Sequence, residues 1–129
     1  MLGVGWHPIS VLVVDDLAAA RRAAAEVVAV TEGFELTGSV GTGEEAMGFL
    51  AGGAVDLVLM DIIMPGMGGV EASLRIRRRH PRVVVVLLSI CQAEELPIAV
   101  RRPDIGFCGK DQFGPEELEA QWRIRSARR

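Results

Sequence analysis

The chain has 129 residues and a formal net charge of −3, from 14 basic and 17 acidic residues. Half of the residues are hydrophobic, which excludes a disordered chain and favours one domain whose central elements are buried on both faces. The acidic balance gives no general sign of nucleic-acid binding, and the two cysteines provide neither a disulfide framework nor a set of zinc ligands.

Apolar runs and helical patterns alternate along the first half of the chain. Ile9–Val14 is an almost continuous aliphatic run, which predicts a strand covered on both faces. The apolar residues that follow at helical spacing, and so predict a helix, are Leu17, Ala20, Ala24, Val27 and Val28. In Phe34–Val40 apolar and polar residues alternate, which predicts a second strand with one face in water, at an edge of the sheet. Thr42 and Glu45 then give a capping-box-like start to a second helix.

The second half of the chain continues this alternation. Residues 57–60 and 83–88 predict two more strands buried on both faces. The helix between them ends in basic residues and is stopped by Pro81. A fourth helix over residues 92–102 is predicted to be weak, because Pro97 interrupts it.

The last two elements complete the fold prediction. Residues 105–107 predict a fifth strand at the other edge of the sheet, and a final helix begins at Pro115 and buries Leu118 and Trp122. The whole order predicts an α/β fold: a flavodoxin-like, doubly wound, five-stranded parallel sheet in the order 2-1-3-4-5, with helices on both faces.

Polar residues stand where the predicted strands end. Asp15 and Asp16 follow strand 1, Asp61 follows strand 3, Ser89 follows strand 4, and Lys110, the only lysine of the chain, follows strand 5. Taken singly, these residues are typical of helix caps, turns and surface charges. Since doubly wound sheets bind ligands at the carboxyl ends of their strands, their joint placement predicts one shared site.

Electrostatics indicates what such a site needs. Two carboxylates about 5 Å apart repel by about 3 kcal/mol at an effective dielectric constant near 20, so that one pKa rises unless a cation is present. An acidic site of oxygen ligands that is open to solvent suits Mg²⁺. With an ammonium and a hydroxyl nearby, a carboxylate of this kind is equipped to accept a phosphoryl group.

At these residues the sequence closely resembles the receiver domain of two-component response regulators. The matching segments are Val-Leu-Val-Val-Asp-Asp at 11–16, Leu-Met-Asp-Ile-Ile-Met-Pro-Gly-Met-Gly-Gly at 59–69, Leu-Leu-Ser at 87–89 and Phe-Cys-Gly-Lys at 107–110. The similarity is greatest to regulators that carry LuxR-type helix-turn-helix output domains. It implies a receiver domain over residues 9–125, with an N-terminal extension at 1–8 and a basic C-terminal tail at 126–129.

The resemblance also implies the role of each site residue. Asp61 is then the phosphoacceptor, and Ser89 and Lys110 bind the phosphoryl oxygens. The implied Mg²⁺ ligands are Asp15 (through water), Asp16, Asp61 and the main-chain carbonyl of Ile63, and the implied switch residue is Phe107. The chain departs from the family at Ile90, which is bulky where a small residue is usual and is expected to narrow the site.

The implied activity is that of a phosphorylation-dependent signalling switch, not of an enzyme beyond its own phosphorylation and slow dephosphorylation. The expected partners are a sensor histidine kinase or phosphotransfer protein, and an output domain or a second copy that binds the face formed by the fourth helix, strand 5 and the last helix. Neither nucleic acid nor a membrane is expected to contact this domain directly. The start of the chain has no secretory pattern, so a cytoplasmic location is expected. The chain ends just after the last helix, so it is expected to be either a stand-alone receiver or the front part of a longer regulator.

Three alternatives remain open from the sequence. A pseudo-receiver would share the fold and act as a protein-interaction scaffold without phosphorylation. A flavodoxin-type flavin protein would place a phosphate where Asp15 and Asp16 repel it. A phosphatase of the haloacid-dehalogenase type would need a second acid two residues after its nucleophile, where this chain has Ile63.

Overall fold

The five predicted strands form one parallel sheet in the order β2-β1-β3-β4-β5 in a computed structural model, which describes residues 7–127. The strands are β1 (Ile9–Val14), β2 (Phe34–Val40), β3 (Leu57–Asp61), β4 (Val84–Ser89) and β5 (Ile105–Gly109). The α-helices of this part of the chain are α1 (Ala18–Val30), α2 (Gly43–Ala51), α3 (Gly69–Arg79) and α4 (Pro115–Ser126). The predicted fold class is confirmed.

Helices cover both faces of the sheet, because the strand residues alternate between two apolar layers. On one face Val11 and Val13 of β1 pack with buried residues of α1 and α4. On the other face Leu12 and Val14 pack with buried residues of α2 and α3. Every residue of β3 and β4 is buried, which explains why these two strands read as continuous aliphatic runs.

The fourth predicted helix does not form. Two short 3₁₀ turns, Ala93–Glu95 and Ile98–Val100, stand in its place with Pro97 between them. Proline has no amide proton to donate and its ring clashes with the preceding turn of an α-helix. The Arg101 side chain holds this segment by donating to the carbonyl oxygens of Leu96, at 2.8 Å, and of Glu94.

Strand β2 lies at an edge, as predicted, but its simple alternation is interrupted. A register shift against β1 between Val11 and Leu12 places Phe34 in the α1/α4 layer and Val40 in the α2/α3 layer. Leu36, which alternation would place in the core, is 41% exposed. The expectation of one apolar and one wet face over the whole strand is therefore wrong.

The ends of the chain are described only in part. Of the N-terminal extension predicted at 1–8, residues 1–6 lie outside the described residues, and of the basic tail predicted at 126–129, residues 128 and 129 do. Within residues 7–127 no helix combines the length and the apolar character that a membrane crossing requires.

Candidate functional site

The predicted site residues meet at the carboxyl end of the sheet. Asp61 and Ser89 are the last residues of β3 and β4, and Asp15 and Lys110 directly follow β1 and β5. The order of the parallel strands brings these ends side by side. Ser89 also pairs in register with Gly109, and its carbonyl oxygen accepts a hydrogen bond from the Lys110 amide at 2.8 Å.

A single ammonium group bridges two buried carboxylates at the centre of the site. Lys110 Nζ lies 2.7 Å from Asp15 Oδ2 and 3.1 Å from Asp61 Oδ1. Asp15 is 5% exposed and Asp61 is 8% exposed, so neither charge is well solvated. The close pairing explains why an ammonium stands here: a compact charge on a flexible stem reaches both carboxylates.

The surroundings shift the pKa values of this pair. Burial raises the pKa of the Asp61 carboxyl above its ordinary value, since it disfavours the charged form; the hydrogen bond from Lys110 opposes the shift and the charge of Asp15 adds to it. Burial acts to lower the pKa of Lys110, but its hydrogen bonds with Asp15 and Asp61 outweigh this, and the net shift is upward. Lys110 is therefore a permanent cation at neutral pH.

The acidic residues fit a divalent cation. Carboxylate oxygens of Asp15, Asp16 and Asp61 all lie within 4.8 Å of one another, and Asp16 is exposed at the rim. Three carboxylates against one ammonium leave an excess of negative charge, and oxygen ligands open to solvent suit Mg²⁺. Ile63 lies in the loop after β3 and is 74% exposed, and the role of its carbonyl stays a prediction.

The loop from Asp15 into α1 is fixed by backbone contacts. The Leu17 amide donates to Asp15 Oδ1 at 3.0 Å, and the Arg21 guanidinium donates to the Asp15 carbonyl oxygen at 2.7 Å. The helical pattern in the sequence did not indicate the contact of Arg21. No sequence pattern indicates it, because the partner is a main-chain oxygen six residues earlier.

The loop from Asp61 into α3 is held just as closely. The Gly69 amide donates to the carbonyl oxygen of Ile62 at 2.8 Å. A Cβ atom at Gly69 would lie 1.9 Å from the Asp61 carbonyl oxygen, so only glycine allows this approach. From α2, Glu44 Oε2 accepts a hydrogen bond from the Met67 amide at 3.1 Å, a second contact that the sequence did not indicate.

The remaining predicted residues lie around β4 and β5. Ser89 is 3% exposed, and its hydroxyl contacts Cys91. Phe107 is half-buried and packs against the α2/α3 layer. Ile90 is 84% exposed, so its bulk lies outside the packed part of the site. The narrowing of the site expected from its size stays a prediction.

The residues of this site lie within a region of the chain that matches a known family model. The family model of the response regulator receiver domain matches residues 11–120. The chain belongs to this family. Membership removes the flavodoxin and phosphatase alternatives and leaves the pseudo-receiver as a variant of the same domain.

Individual receiver proteins agree with this assignment. The response regulator GacA of Pseudomonas viridiflava is 37% identical over 117 residues, which cover 91% of this chain and 54% of GacA. The chain thus spans about half the length of the curated relatives it matches. A LuxR-family DNA-binding response regulator from Staphylococcus aureus shares the fold with a TM-score of 0.74 at 22% identity, covering 91% of this chain and 98% of that one.

The response regulator protein TrrA of Thermotoga maritima is similar in two solved structures, at 29% identity and with coverage of 89% of this chain and 97% of TrrA. One structure contains TrrA with Mg²⁺ and beryllium fluoride and has a TM-score of 0.77. The other contains TrrA in complex with the histidine kinase ThkA and has a TM-score of 0.75.

Proposed function

We propose that this receiver domain accepts a phosphoryl group from a histidine kinase or phosphotransfer protein onto Asp61, and that the phosphorylated domain controls an output domain or partner. The observation that carries the proposal is the shared ammonium: Lys110 Nζ contacts both Asp15 and Asp61 while the three carboxylates crowd within 4.8 Å. TrrA, with beryllium fluoride and with a histidine kinase bound in its two structures, supports the same chemistry by analogy.

The proposed reaction uses Asp61 as the nucleophile. A carboxylate oxygen forms a bond to phosphorus while the bond from phosphorus to the donor's imidazole nitrogen breaks, and the imidazole leaves and takes up a proton from solvent. Asp61 lies at the end of a fully buried strand, so its carboxylate is oriented before the donor arrives. This fixed orientation supplies much of what phosphoryl transfer needs, because such reactions depend on positioning and charge stabilisation.

The other residues have charge-balancing roles in this proposal. Asp15, Asp16 and Asp61, with the Ile63 carbonyl, would hold Mg²⁺. The bound ion supplies positive charge to the phosphoryl oxygens and offsets the repulsion among the carboxylates. Lys110 exchanges part of its pairing with Asp61 for a phosphoryl oxygen, and Ser89 donates its hydroxyl proton to another.

Phosphorylation then has to change a surface. Moving a two-state domain from 1:99 to 99:1 takes about 5.5 kcal/mol of differential stabilisation, and two charge-assisted hydrogen bonds at about 1.5–3 kcal/mol each supply most of it. The proposed surface comprises the two 3₁₀ turns, β5 and α4. Phe107 is the residue proposed to move when Ser89 moves. Chemical shifts over residues 90–110 on addition of Mg²⁺ and beryllium fluoride report this change.

The proposal is tested by weighing the intact protein after incubation with acetyl phosphate and Mg²⁺. We expect the wild-type mass to increase by one phosphoryl group, and the Asp61→Asn variant to stay unmodified. No adduct on the wild-type protein, from acetyl phosphate or from a phosphorylated kinase, would favour the pseudo-receiver. An adduct that persists in Asp61→Asn would place the modification elsewhere.

A further inference from the structure

The hydroxyl of Ser89 is engaged by a neighbour that the proposed reaction does not use. Ser89 Oγ donates a hydrogen bond to Cys91 Sγ at 3.1 Å, and the Cys91 amide donates to Ser89 Oγ at 3.1 Å. Ser89 is 3% exposed, so water has little access to its hydroxyl. The hydroxyl proton therefore has a defined partner in the resting protein, and that partner is the Cys91 thiol.

A serine hydroxyl has a single proton to donate. If Ser89 is to donate it to a phosphoryl oxygen on Asp61, the hydrogen bond to Cys91 Sγ has to break. The main-chain amide of residue 91 contacts Ser89 Oγ whichever side chain residue 91 carries. The contact with sulfur, in contrast, depends on the cysteine side chain alone. The thiol thus competes directly with the phosphoryl group for the Ser89 proton.

We propose that Cys91 is a positioning residue that holds the Ser89 hydroxyl in its resting orientation and so opposes the phosphorylated state. This inference rests on the proposed function of Asp61 and Ser89. Cys91 also packs against the same apolar layer as Phe107, and the two residues line one surface depression. Release of Ser89 from the thiol and any movement of Phe107 therefore take place in one small region.

The test measures the affinity for beryllium fluoride in the presence of Mg²⁺, by NMR titration, for matched variants of the full chain. Cys91→Ala removes the acceptor, and we expect it to bind about two- to fivefold more tightly than wild type, because a sulfur acceptor makes a weak hydrogen bond. Cys91→Ser keeps an acceptor and is expected to bind no more tightly than wild type. The control Cys108→Ala removes the other thiol, which lies in the opposite apolar layer, and is expected to leave the affinity within about twofold.

A second background shows whether Cys91 acts through Ser89. In Ser89→Ala the hydroxyl is gone, so adding Cys91→Ala is expected to leave the affinity unchanged. Three results would overturn the inference: an equal gain in affinity from Cys91→Ala in both backgrounds, an equal gain for Cys91→Ser and Cys91→Ala, or no gain in affinity at all. In each of these cases, binding of beryllium fluoride by the wild-type chain would still uphold the proposed function. If wild type shows no binding that depends on Asp61, the proposed function fails and the inference fails with it.

Discussion

Removal of the Lys110 ammonium perturbs the site most directly, and its effect on stability follows from the geometry. At an effective dielectric constant of about 20, the distances of 2.7 Å and 3.1 Å correspond to gross attractions of about 6 and about 5 kcal/mol. Desolvation offsets much of this. Losing one partner of a buried ion pair destabilises a protein by about 3–5 kcal/mol. Since the Lys110 side chain is 23% exposed, solvent screening lowers the expected loss for Lys110→Met to about 2–3 kcal/mol at pH 7.

The dependence on pH and on Mg²⁺ identifies the cause of that loss. In Lys110→Met the pKa of Asp61 rises further, because its cation is gone while its burial remains. A raised carboxyl pKa in the folded state means that stability falls as the pH rises from about 3.9 through the folded value. Lowering the pH from 7 to 5 is therefore expected to recover more stability in the variant than in wild type. Addition of Mg²⁺ at pH 7 is also expected to recover more stability in the variant than in wild type, since binding to the more negative site stabilises the fold by mass action.

The assay is urea denaturation at pH 7 and pH 5, with and without Mg²⁺. Arg22→Met, which removes an exposed cation on α1, is the matched control and is expected to change the free energy of unfolding by less than about 0.5 kcal/mol. The ion-pair reasoning would be refuted if Lys110→Met were as stable as wild type at pH 7. It would also be refuted if neither the lower pH nor Mg²⁺ reduced the loss of stability in this variant.

Three further predictions concern stability and are read from urea denaturation. Gly69→Ala is expected to lose more than about 3 kcal/mol, because its Cβ atom would lie 1.9 Å from a backbone oxygen of β3. Gly48→Ala in α2, where a Cβ atom meets nothing within 4 Å, is expected to gain up to about 1 kcal/mol; a similar result for both glycines would contradict the close approach. Ser73→Ala is expected to gain about 1 kcal/mol, since the Ser73 hydroxyl is buried and has no hydrogen-bond partner within residues 7–127; a loss would show a partner for it. Pairing with Arg102 above all lowers the pKa of Asp104 to about 2, so Asp104→Asn is expected to cost about 0.5–1 kcal/mol at pH 7. That difference should shrink as the pH falls from about 3.9 towards about 2, and a difference independent of pH would rule out the charge as its source.

The sequence predicted those parts of the fold that depend on burial and strand order. The runs before Asp61 in β3 and before Ser89 in β4 are apolar because both faces are covered, so the central strands followed from the hydropathy pattern, and the sheet order followed from the alternation of strands and helices. The site followed from the same logic, since Asp61 and Ser89 end neighbouring parallel strands and Lys110 follows the next one.

Other features depend on contacts that no local pattern encodes. The register shift in β2 lies after Leu36 and places Val40 in the α2/α3 layer, and it arises from pairing with a strand more than twenty residues away. Pro97 indicated that the fourth helix would be weak. The sequence did not indicate that two turns replace this helix and that hydrogen bonds from Arg101 to carbonyl oxygens hold them. The roles of Arg21 and Glu44 in holding the site loops also rest on bonds to main-chain atoms. Unlike a helix cap, these bonds between side chains and backbone atoms follow no recurrent spacing in the sequence.

The central claim is that Asp61 receives the phosphoryl group of a phosphohistidine. Its most direct measurement follows the phosphoryl group from a phosphorylated histidine kinase domain to this chain over time, with Mg²⁺ or with excess chelator. We expect transfer to the wild-type chain only when Mg²⁺ is present, and none to Asp61→Asn. Equal transfer to wild type and to Asp61→Asn would contradict the account. So would the absence of transfer to this chain from every phosphorylated kinase tested, provided that each kinase phosphorylates its own regulator.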